Sequence, residues 1–120
     1  MSLIKIEKYN KVIFKNKNTK IKKAANIKLN NDCVITFISS DKKEYDLCKK
    51  KWGYYATPSI NHRLTDNNFR TVIIKNILNK HFICVVEKDK IKEFRDYLKK
   101  DKQKVIMWLN NKNLKKIENI

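Results

Sequence analysis

The sequence predicts an α+β fold, a ferredoxin-like β-α-β-β-α-β sandwich whose antiparallel sheet carries its helices on one face, with a basic N-terminal β-arm or hairpin. Two observations predict it. Segments with strand and helix character alternate from residue 33 to residue 109, and cap or turn residues separate them. The length of 120 residues suits a single domain, in which residues 1–32 are the arm, 33–109 the core and 110–120 a polar tail.

The arm and the first core strand have different patterns. Residues 11–15 and 21–29 alternate lysines with apolar side chains, which predicts two short strands or a hairpin laid against the sheet edge. Residues 34–39 form a nearly continuous apolar run that is rich in β-branched side chains. Such a run is typical of a central strand covered on both faces, so we expect the core to begin here.

Residues 41–52 are predicted to form a helix. Asp41 and Glu44 have the spacing of a capping box, and Gly53 is placed to end the helix in the left-handed conformation. Apolar side chains recur at helical spacing between these ends. They are Tyr45, Cys48 and Trp52.

The middle of the chain predicts a short helix followed by a hairpin. The helix is expected at residues 58–65, because Thr57 can cap it and Pro58 fits its first position. Residues 70–75 and 81–87 are both rich in Val, Ile and Phe, and a polar connection separates them. Two antiparallel strands are therefore expected.

The last part of the chain predicts a helix and a strand. Asp89 can cap a helix whose acidic start and lysine-rich end match the helix dipole. Its inner stripe would be Ile91, Phe94 and Leu98. Residues 105–109 then predict the final strand, and residues 110–120 a loose tail or a frayed helix.

The charge of the chain is strongly positive. The formal net charge is +17, from 29 basic and 12 acidic side chains, and such charge attracts polyanions. However, 26 of the basic residues are lysine, a composition that an AT-rich genome also produces at solvated positions. Arginine, which recognises phosphates and base edges through paired bonds, occurs only three times. Charge alone therefore does not identify the partner.

Cysteine use and hydropathy indicate the compartment. Cys33, Cys48 and Cys84 include no Cys-x-x-Cys pair, so reduced cysteines are expected. No segment approaches the roughly 20 apolar residues of a membrane span, and the N-terminus lacks the apolar core of a signal peptide. We therefore expect a cytoplasmic protein with no membrane contact, no metal and no cofactor.

Residues 52–63 are the main candidate site. They hold the only glycine and the only proline, and they combine aromatic, hydroxyl, amide and basic side chains. A helix start at Pro58 would present unpaired N–H groups to a phosphate, and the tyrosines can stack on a base. The plainer alternative is that this segment only closes the core between two helices. The predicted ligand-binding residues are Tyr54, Tyr55, Thr57, Ser59, Asn61, His62, Arg63 and Arg70.

Nucleic-acid binding is the broader hypothesis. Nine lysines and one acid, Glu7, lie between residues 1 and 31. Residues 80–86 lack the glycine and most of the aromatics of an RNA-recognition strand. Binding is therefore expected to be non-specific and to weaken steeply in salt. The lysines predicted to contact the nucleic-acid backbone are Lys17, Lys20, Lys22 and Lys23.

Two other classes of function stay open. His62 and His81 are candidates for metal-independent RNA cleavage because histidine titrates near neutrality, but no pattern brings them together. A non-catalytic interaction or regulatory module, including a homodimer formed through a sheet edge, is the alternative. The sequence favours a small basic protein that binds nucleic acid or a phosphorylated ligand over an enzyme.

Overall fold

The structure, a computed structural model, describes residues 2–120. Within these residues the chain is an α+β protein with three small antiparallel sheets and three helices. The strands are β1 (Ile4–Lys15), β2 (Lys20–Leu29), β3 (Cys33–Ile38), β4 (Glu44–Lys50), β5 (Gly53–Ala56), β6 (Phe69–Lys75), β7 (His81–Glu87) and β8 (Lys104–Trp108). The helices are α1 (Arg63–Asp66), α2 (Ile91–Lys100) and α3 (Asn111–Glu118).

The chain divides into two compact units, and neither is continuous in sequence. The first unit comprises the chain up to Phe37 together with Asp46–Thr57, and it holds β1, β2, β5 and most of β3 and β4. The second unit comprises Ile38–Tyr45 and Pro58–Ile120, and it holds all three helices with β6, β7 and β8.

The first unit begins with a long antiparallel ribbon of β1 and β2, which confirms the predicted basic hairpin. The register runs from Ile4 opposite Leu29 to Lys15 opposite Lys20, with two irregularities on the way. Asn16 closes the turn, because its Oδ1 accepts hydrogen bonds from the backbone N–H groups of Asn18 and Thr19. β1 is longer than the strand predicted at residues 11–15, since it starts at Ile4, whereas β2 agrees with the prediction of 21–29 within one residue.

The second part of this unit is the sheet β3-β4-β5. An apolar cavity of about 150 Å³ lies between side chains of β2 and side chains of this sheet. The ribbon contributes Ile27 and Leu29 to its lining, and the sheet contributes Ile35, Leu47 and Tyr54. The apolar face at the base of the ribbon therefore has an apolar counterpart in its own unit.

The predicted helix over residues 41–52 is wrong, because this segment forms β4. Its buried side chains alternate, with Asp46 and Cys48 each 7% exposed, and alternation is the period of a strand. Asp46 tolerates burial because its carboxylate accepts a hydrogen bond from Thr36 Oγ1 at 2.6 Å. Gly53 does not end a helix. It starts β5 with a φ of +147° after a two-residue turn.

The second unit contains the predicted β-β-α-β portion of the fold. β6 lies in the middle of its sheet, with β7 and β8 both antiparallel to it. α2 therefore connects two strands that flank β6 and run parallel to each other, which is a split β-α-β unit. The strand predicted at residues 81–87 is confirmed with the same bounds, and those predicted at 70–75 and 105–109 are confirmed within one residue.

The core of the second unit lies between this sheet and α2. Its buried members are Val72, Ile74, Val86 and Leu98. Partly buried side chains pack around them, and these include the Phe94–Trp108 edge-to-face pair, whose ring centroids are 6.0 Å apart. The predicted inner stripe of α2 is thus confirmed, although the helix begins at Ile91 after a short 3-10 turn, Lys88–Lys90.

One predicted helix needs correction, because the helix expected at residues 58–65 is a single turn, α1, that begins at Arg63. Of the two alternatives for residues 110–120, a loose tail or a frayed helix, the structure has a helix, α3. Asn110 caps it by accepting a hydrogen bond from the Asn113 backbone N–H at 2.9 Å. The complete ferredoxin-like order is not found in residues 33–109, since β4 replaces its first helix.

The sequence predicts that no segment spans a membrane. None of the helices within residues 2–120 has both the length and the apolar character that crossing a bilayer requires. The cytoplasmic location stays a prediction.

Candidate nucleic-acid interface

The β1–β2 ribbon is a strongly basic and exposed part of the chain. Eleven of the twelve residues of β1 are exposed, because a two-stranded ribbon leaves most side chains in solvent. Nine lysines and one carboxylate, Glu7, lie in residues 1–31. This segment therefore carries eight of the seventeen net positive charges in about a quarter of the chain.

Three of the cross-strand pairs in the ribbon are lysine opposite lysine. These pairs are Lys5 with Lys28, Lys11 with Lys23, and Lys15 with Lys20. Directly opposite side chains in an antiparallel pair have Cβ atoms about 4.5–5.5 Å apart, so like charges there repel each other. In the free ribbon the two ammonium groups of each pair therefore repel each other, and an anion bound between these side chains would relieve the repulsion.

The alternation of side chains along β2 gives the ribbon two different faces. Even-numbered residues of β2, with their partners on β1, form what we call the lysine face. The opposite face is apolar at its base, where Ile4 and Ile6 pair with Leu29 and Ile27. The lysines of the lysine face are Lys5, Lys15, Lys20, Lys22 and Lys28, all of them exposed.

The one carboxylate of the ribbon is held by an aromatic residue. Tyr9 donates a hydrogen bond from its hydroxyl to Glu7 at 3.3 Å and accepts one from Asn26 Nδ2 at the same distance. Lys23 Nζ lies 5.4 Å from the centre of the Tyr9 ring, in range of a cation–π contact. Lys23 is half-buried there, so it is less accessible than its neighbours on the ribbon.

The structure separates the four lysines predicted to contact nucleic acid. Lys20 and Lys22 lie on the lysine face, Lys17 lies in the exposed turn at the tip, and Lys23 lies on the opposite face. Sequence reasoning missed Lys5, Lys15 and Lys28, which complete the lysine face. Alternation of lysines along each strand was visible in the sequence, but the pairing of the two strands was not.

The tyrosines of the candidate segment 52–63 lie on β5, in the first unit. Tyr54 is paired with Lys49 and Tyr55 with Cys48, so adjacent tyrosines point to opposite faces of the sheet. Both are exposed, by 66% and 48%, and Lys49 Nζ lies 5.5 Å from the centre of the Tyr54 ring. Only one of the two tyrosines can therefore contact a ligand bound to a given face.

The helix start expected at Thr57 and Pro58 is not formed. The backbone N–H of Thr57 donates to the Asp46 carbonyl at 3.3 Å, and Pro58 is buried without starting a helix. The Ser59 hydroxyl accepts a hydrogen bond from the Arg63 N–H at 2.9 Å. A single helical turn then follows from Arg63, so Pro58 does not occupy the first position of a helix. The role of residues 57–63 in ligand binding stays a prediction, without a helix start at Pro58 as its physical basis.

Two of the predicted ligand-binding residues are brought together. Asn61 and Arg70 line the same cavity of the second unit, which has a volume of about 450 Å³. Ser59, His62 and Arg63 belong to the same unit but do not line this cavity.

The two candidate histidines lie at separate elements of the second unit, His62 before α1 and His81 in β7. His62 is 82% exposed and contacts Asp66 at 3.6 Å, which is an ion pair when the imidazole is protonated. His81 is exposed at the start of β7 and has no bond to His62. Within residues 2–120, no group of three or more His, Cys, Asp or Glu side chains is arranged to hold a metal ion.

The three cysteines of the chain are free. Burial raises the pKa of the Cys84 thiol, which keeps this residue, in the core of the second unit, in its unreactive protonated form. Cys48 is buried in β4 of the first unit. Cys33 and Cys84 are partly buried, and the reduced state of the three cysteines stays a prediction.

Comparisons of the chain with protein-family models, with curated proteins and with solved structures give no match.

Proposed function

We propose that this protein binds nucleic acid through its phosphate backbone, using the lysine face of the β1–β2 ribbon. The observation that carries the proposal is the group of five exposed lysines on one face of a two-stranded ribbon, four of which form the pairs Lys5–Lys28 and Lys15–Lys20. Each lysine–lysine pair destabilises the free protein by charge repulsion, whereas the phosphates of a nucleic acid attract both ammonium groups of the pair.

The type of basic residue supports backbone contact over base recognition. Lysine offers a compact, rotatable charge that suits a phosphate, whereas bidentate recognition of guanine is mainly the work of arginine. All nine basic residues of the first 31 are lysines, and the arginines of the chain are Arg63, Arg70 and Arg95. Binding is therefore expected to discriminate little between sequences.

The shape of the ribbon also fits a duplex. The DNA major groove admits a two-stranded β-ribbon. With a rise of about 3.3 Å per residue, β1 is about 40 Å long, which is close to one turn of B-DNA. A ribbon of this length can place lysines against several phosphates at once.

Placement argues against a purely compositional origin of the charge. A charge that came from composition alone would spread both lysines and carboxylates along the chain in proportion to length. Instead, eleven of the twelve carboxylates lie after residue 31, and the ribbon holds one. The imbalance in the ribbon thus results from missing acids as well as from added lysines.

The test uses two variants of equal charge. One carries Lys20, Lys22 and Lys28 as glutamine, on the lysine face. The control carries Lys92, Lys99 and Lys112 as glutamine, which are exposed on α2 and α3 of the second unit. Both variants lose three positive charges, so net charge alone cannot separate them.

Affinity for a labelled duplex DNA is measured by anisotropy across a salt series. Each phosphate contact contributes about 0.9 to the slope of log affinity against log salt, so the ribbon variant should lose about 3 in slope. The control should keep the wild-type slope. Equal losses in the two variants would overturn the ribbon as the site, and a wild-type affinity that does not change with salt would overturn nucleic-acid binding itself.

A single-stranded RNA of the same length serves as a second probe. Tyr54 and Tyr55 belong to the same unit as the ribbon and are exposed, so one of them can stack on an unpaired base. Replacing both by alanine should weaken RNA binding and leave duplex binding unchanged. Equal effects on the two probes would remove the tyrosines from the site.

A further inference from the structure

The second unit contains a cavity whose lining differs from the ribbon in chemistry. Its volume of about 450 Å³ lies within the range of about 300–1,000 Å³ that small-molecule sites occupy. It lies where α1, the start of β6, α2 and the end of β8 meet. All of its lining residues belong to the second unit, so the cavity exists without any contribution from the ribbon.

Arg70 supplies the charge of this cavity. It is the only charged residue among the described residues that line the cavity. Its Nη1 donates to the Phe69 carbonyl at 2.8 Å and, more weakly, to the Thr65 carbonyl at 3.4 Å, which fixes one side of the guanidinium. Within residues 2–120 no carboxylate pairs with Arg70, and its Nε and Nη2 donors have no protein acceptor.

A partly buried guanidinium with unused donors is poised to bind an anion. Arginine presents its donors in a planar fork that matches a carboxylate or a phosphate. The chain otherwise relies on lysine, with 26 lysines to three arginines, so the fork geometry is unusual in this protein. Both bonds to carbonyls come from Nη1, which leaves the Nε and Nη2 donors of Arg70 for a ligand.

The rest of the lining is mixed, with four apolar residues beside three asparagines and two threonines. Ile60, Ile91 and Leu109 contribute aliphatic surface, and Trp108 contributes an aromatic ring. Trp108 is held by its edge-to-face contact with Phe94. Apolar surface that gives affinity through burial, together with a fixed charge and polar groups that give orientation, is typical of a small-molecule site.

We infer that this cavity binds a small organic anion, with its carboxylate or phosphate on the free side of Arg70 and its apolar or aromatic body against Trp108 and the isoleucines. Asn61 lines the same cavity and adds an amide for a polar group of the ligand. The inference does not rest on the proposed nucleic-acid function, because the ribbon contributes no residue to the cavity.

The test uses Trp108 as a reporter. Trp52 is the other tryptophan of the chain and is 72% exposed in the first unit, so Trp52→Phe leaves Trp108 as the single tryptophan. The full-length Trp52→Phe protein is titrated with adenosine 5′-monophosphate and with phenylacetate. Their neutral counterparts, adenosine and phenylacetamide, are titrated in parallel. Saturable change in Trp108 fluorescence with one of the anions is expected, and the anion that binds tells whether phosphate or carboxylate is preferred.

Charge recognition is tested in the same background. A charge-assisted bond to arginine contributes enough that each anion should bind about tenfold or more tightly than its neutral counterpart. Arg70→Met should remove that preference, whereas Arg95→Met, an exposed arginine of α2 outside the cavity, should keep it. Arg70→Lys should retain part of it, because the charge stays and the fork is lost.

Three outcomes would overturn the inference. The first is that neither anion produces a saturable change in Trp108 fluorescence, and the second is that the neutral probes bind as tightly as the anions. The third is that a folded Arg70→Met variant binds the anions as tightly as the parent protein does. If Arg70→Met does not fold, the comparison of charged and neutral probes in the parent protein decides the question alone.

Discussion

Lys43 Nζ lies 2.9 Å from the Glu87 carboxylate and also contacts Asp41 at 3.1 Å and Asp89 at 3.3 Å. One ammonium thus joins the connection between β3 and β4 to the end of β7, all within the second unit. The Lys43 side chain is 14% exposed, so water screens these contacts only in part. Its hydrogen bond to Glu87 is the main cause that raises the pKa of Lys43 above its usual value.

Replacing Lys43 with methionine should lower the thermal unfolding midpoint. The change leaves three carboxylates close together without their shared cation, and the remaining charges repel one another. Lys42→Met removes a charge from the neighbouring exposed residue and should leave the midpoint close to that of the wild type. An equal fall in both variants would show that the cluster does not stabilise the fold.

Asp41 should make stability depend on pH in the acid range. Hydrogen bonds from Ser39 and then from Lys43 lower the pKa of Asp41 from 3.8 to about 2. A carboxylate whose pKa is lower in the folded state stabilises the fold in its charged form. Its contribution is therefore complete above pH 3.8 and is lost as the pH falls through about 2.

The comparison that checks this uses urea unfolding at a series of pH values between those two limits. Asp41→Asn should flatten the pH dependence of the free energy of unfolding relative to wild type. Ser39→Ala keeps the titrating group and removes the largest cause of its shift, so it should flatten the curve in part. A wild-type slope in the Asp41→Asn variant would contradict the assignment.

Thr71→Val should stabilise the protein. Thr71 is 5% exposed in β6, where it also lines the cavity of Arg70, and among the described residues its Oγ1 is the buried side-chain polar atom without a hydrogen-bond partner in the protein. Since an unsatisfied buried hydroxyl costs about 1–3 kcal/mol, the near-isosteric valine should raise the free energy of unfolding by about 1 kcal/mol. Chemical denaturation measures the change directly.

Thr36→Val is the matched control for that substitution. The Thr36 hydroxyl donates to the buried Asp46 carboxylate, so the same chemical change should here lower the free energy of unfolding by about 1–2 kcal/mol. Changes of the same sign at both positions would mean that β-propensity, and not hydrogen bonding, determines the outcome.

Lys15→Glu should move stability and binding in opposite directions. The substitution places a carboxylate opposite Lys20 and converts a repulsive pair into an attractive one, worth about 0.2–1 kcal/mol to the ribbon. At the same time it should weaken binding to duplex DNA, because it puts a negative charge on the lysine face. Hydrogen exchange of the ribbon amides and DNA anisotropy report the two effects. A loss of ribbon protection would contradict the pairing.

Gly53→Ala should destabilise the β4–β5 hairpin through the backbone alone. Gly53 has a φ of +147°, which side chains other than glycine rarely adopt, yet an added Cβ would have no atom within 4 Å. The cost is therefore conformational, about 1–3 kcal/mol, and does not involve a clash. Unfolding in denaturant measures it, and an unchanged midpoint would show that the turn relaxes without cost.

The strands of the second unit could be predicted because several signals agreed there. Residues 81–87 combine β-branched side chains with a turn before them and a helix start after them. Residues 41–52 gave conflicting signals, because three apolar side chains at helical spacing coincide with a strand that buries Asp46 and Cys48. A seven-residue strand is too short for the sequence period to decide between the two, and the hydrogen bond from Thr36 that permits a buried aspartate is invisible in sequence.

The candidate sites were predictable only in part, for a geometric reason. The lysine pairs depend on the register of the ribbon, and that register shifts between Lys8 and Lys11 and again between Val12 and Phe14. No local pattern places such shifts. The cavity lined by Arg70 could not be predicted for the same reason, since its lining residues are spread from Ile60 to Asn111 and only the folded chain brings them together.

The interleaving of the two units constrains how the chain can be divided. The chain passes between the units after Phe37, after Tyr45 and after Thr57, so no single cleavage separates them. A fragment that starts at Pro58 would lack Lys43 and leave Glu87 and Asp89 without their cation. A fragment that ends at Phe37 would retain the ribbon but lose β4 and β5. Truncated forms are therefore expected to be poor substitutes for the full chain.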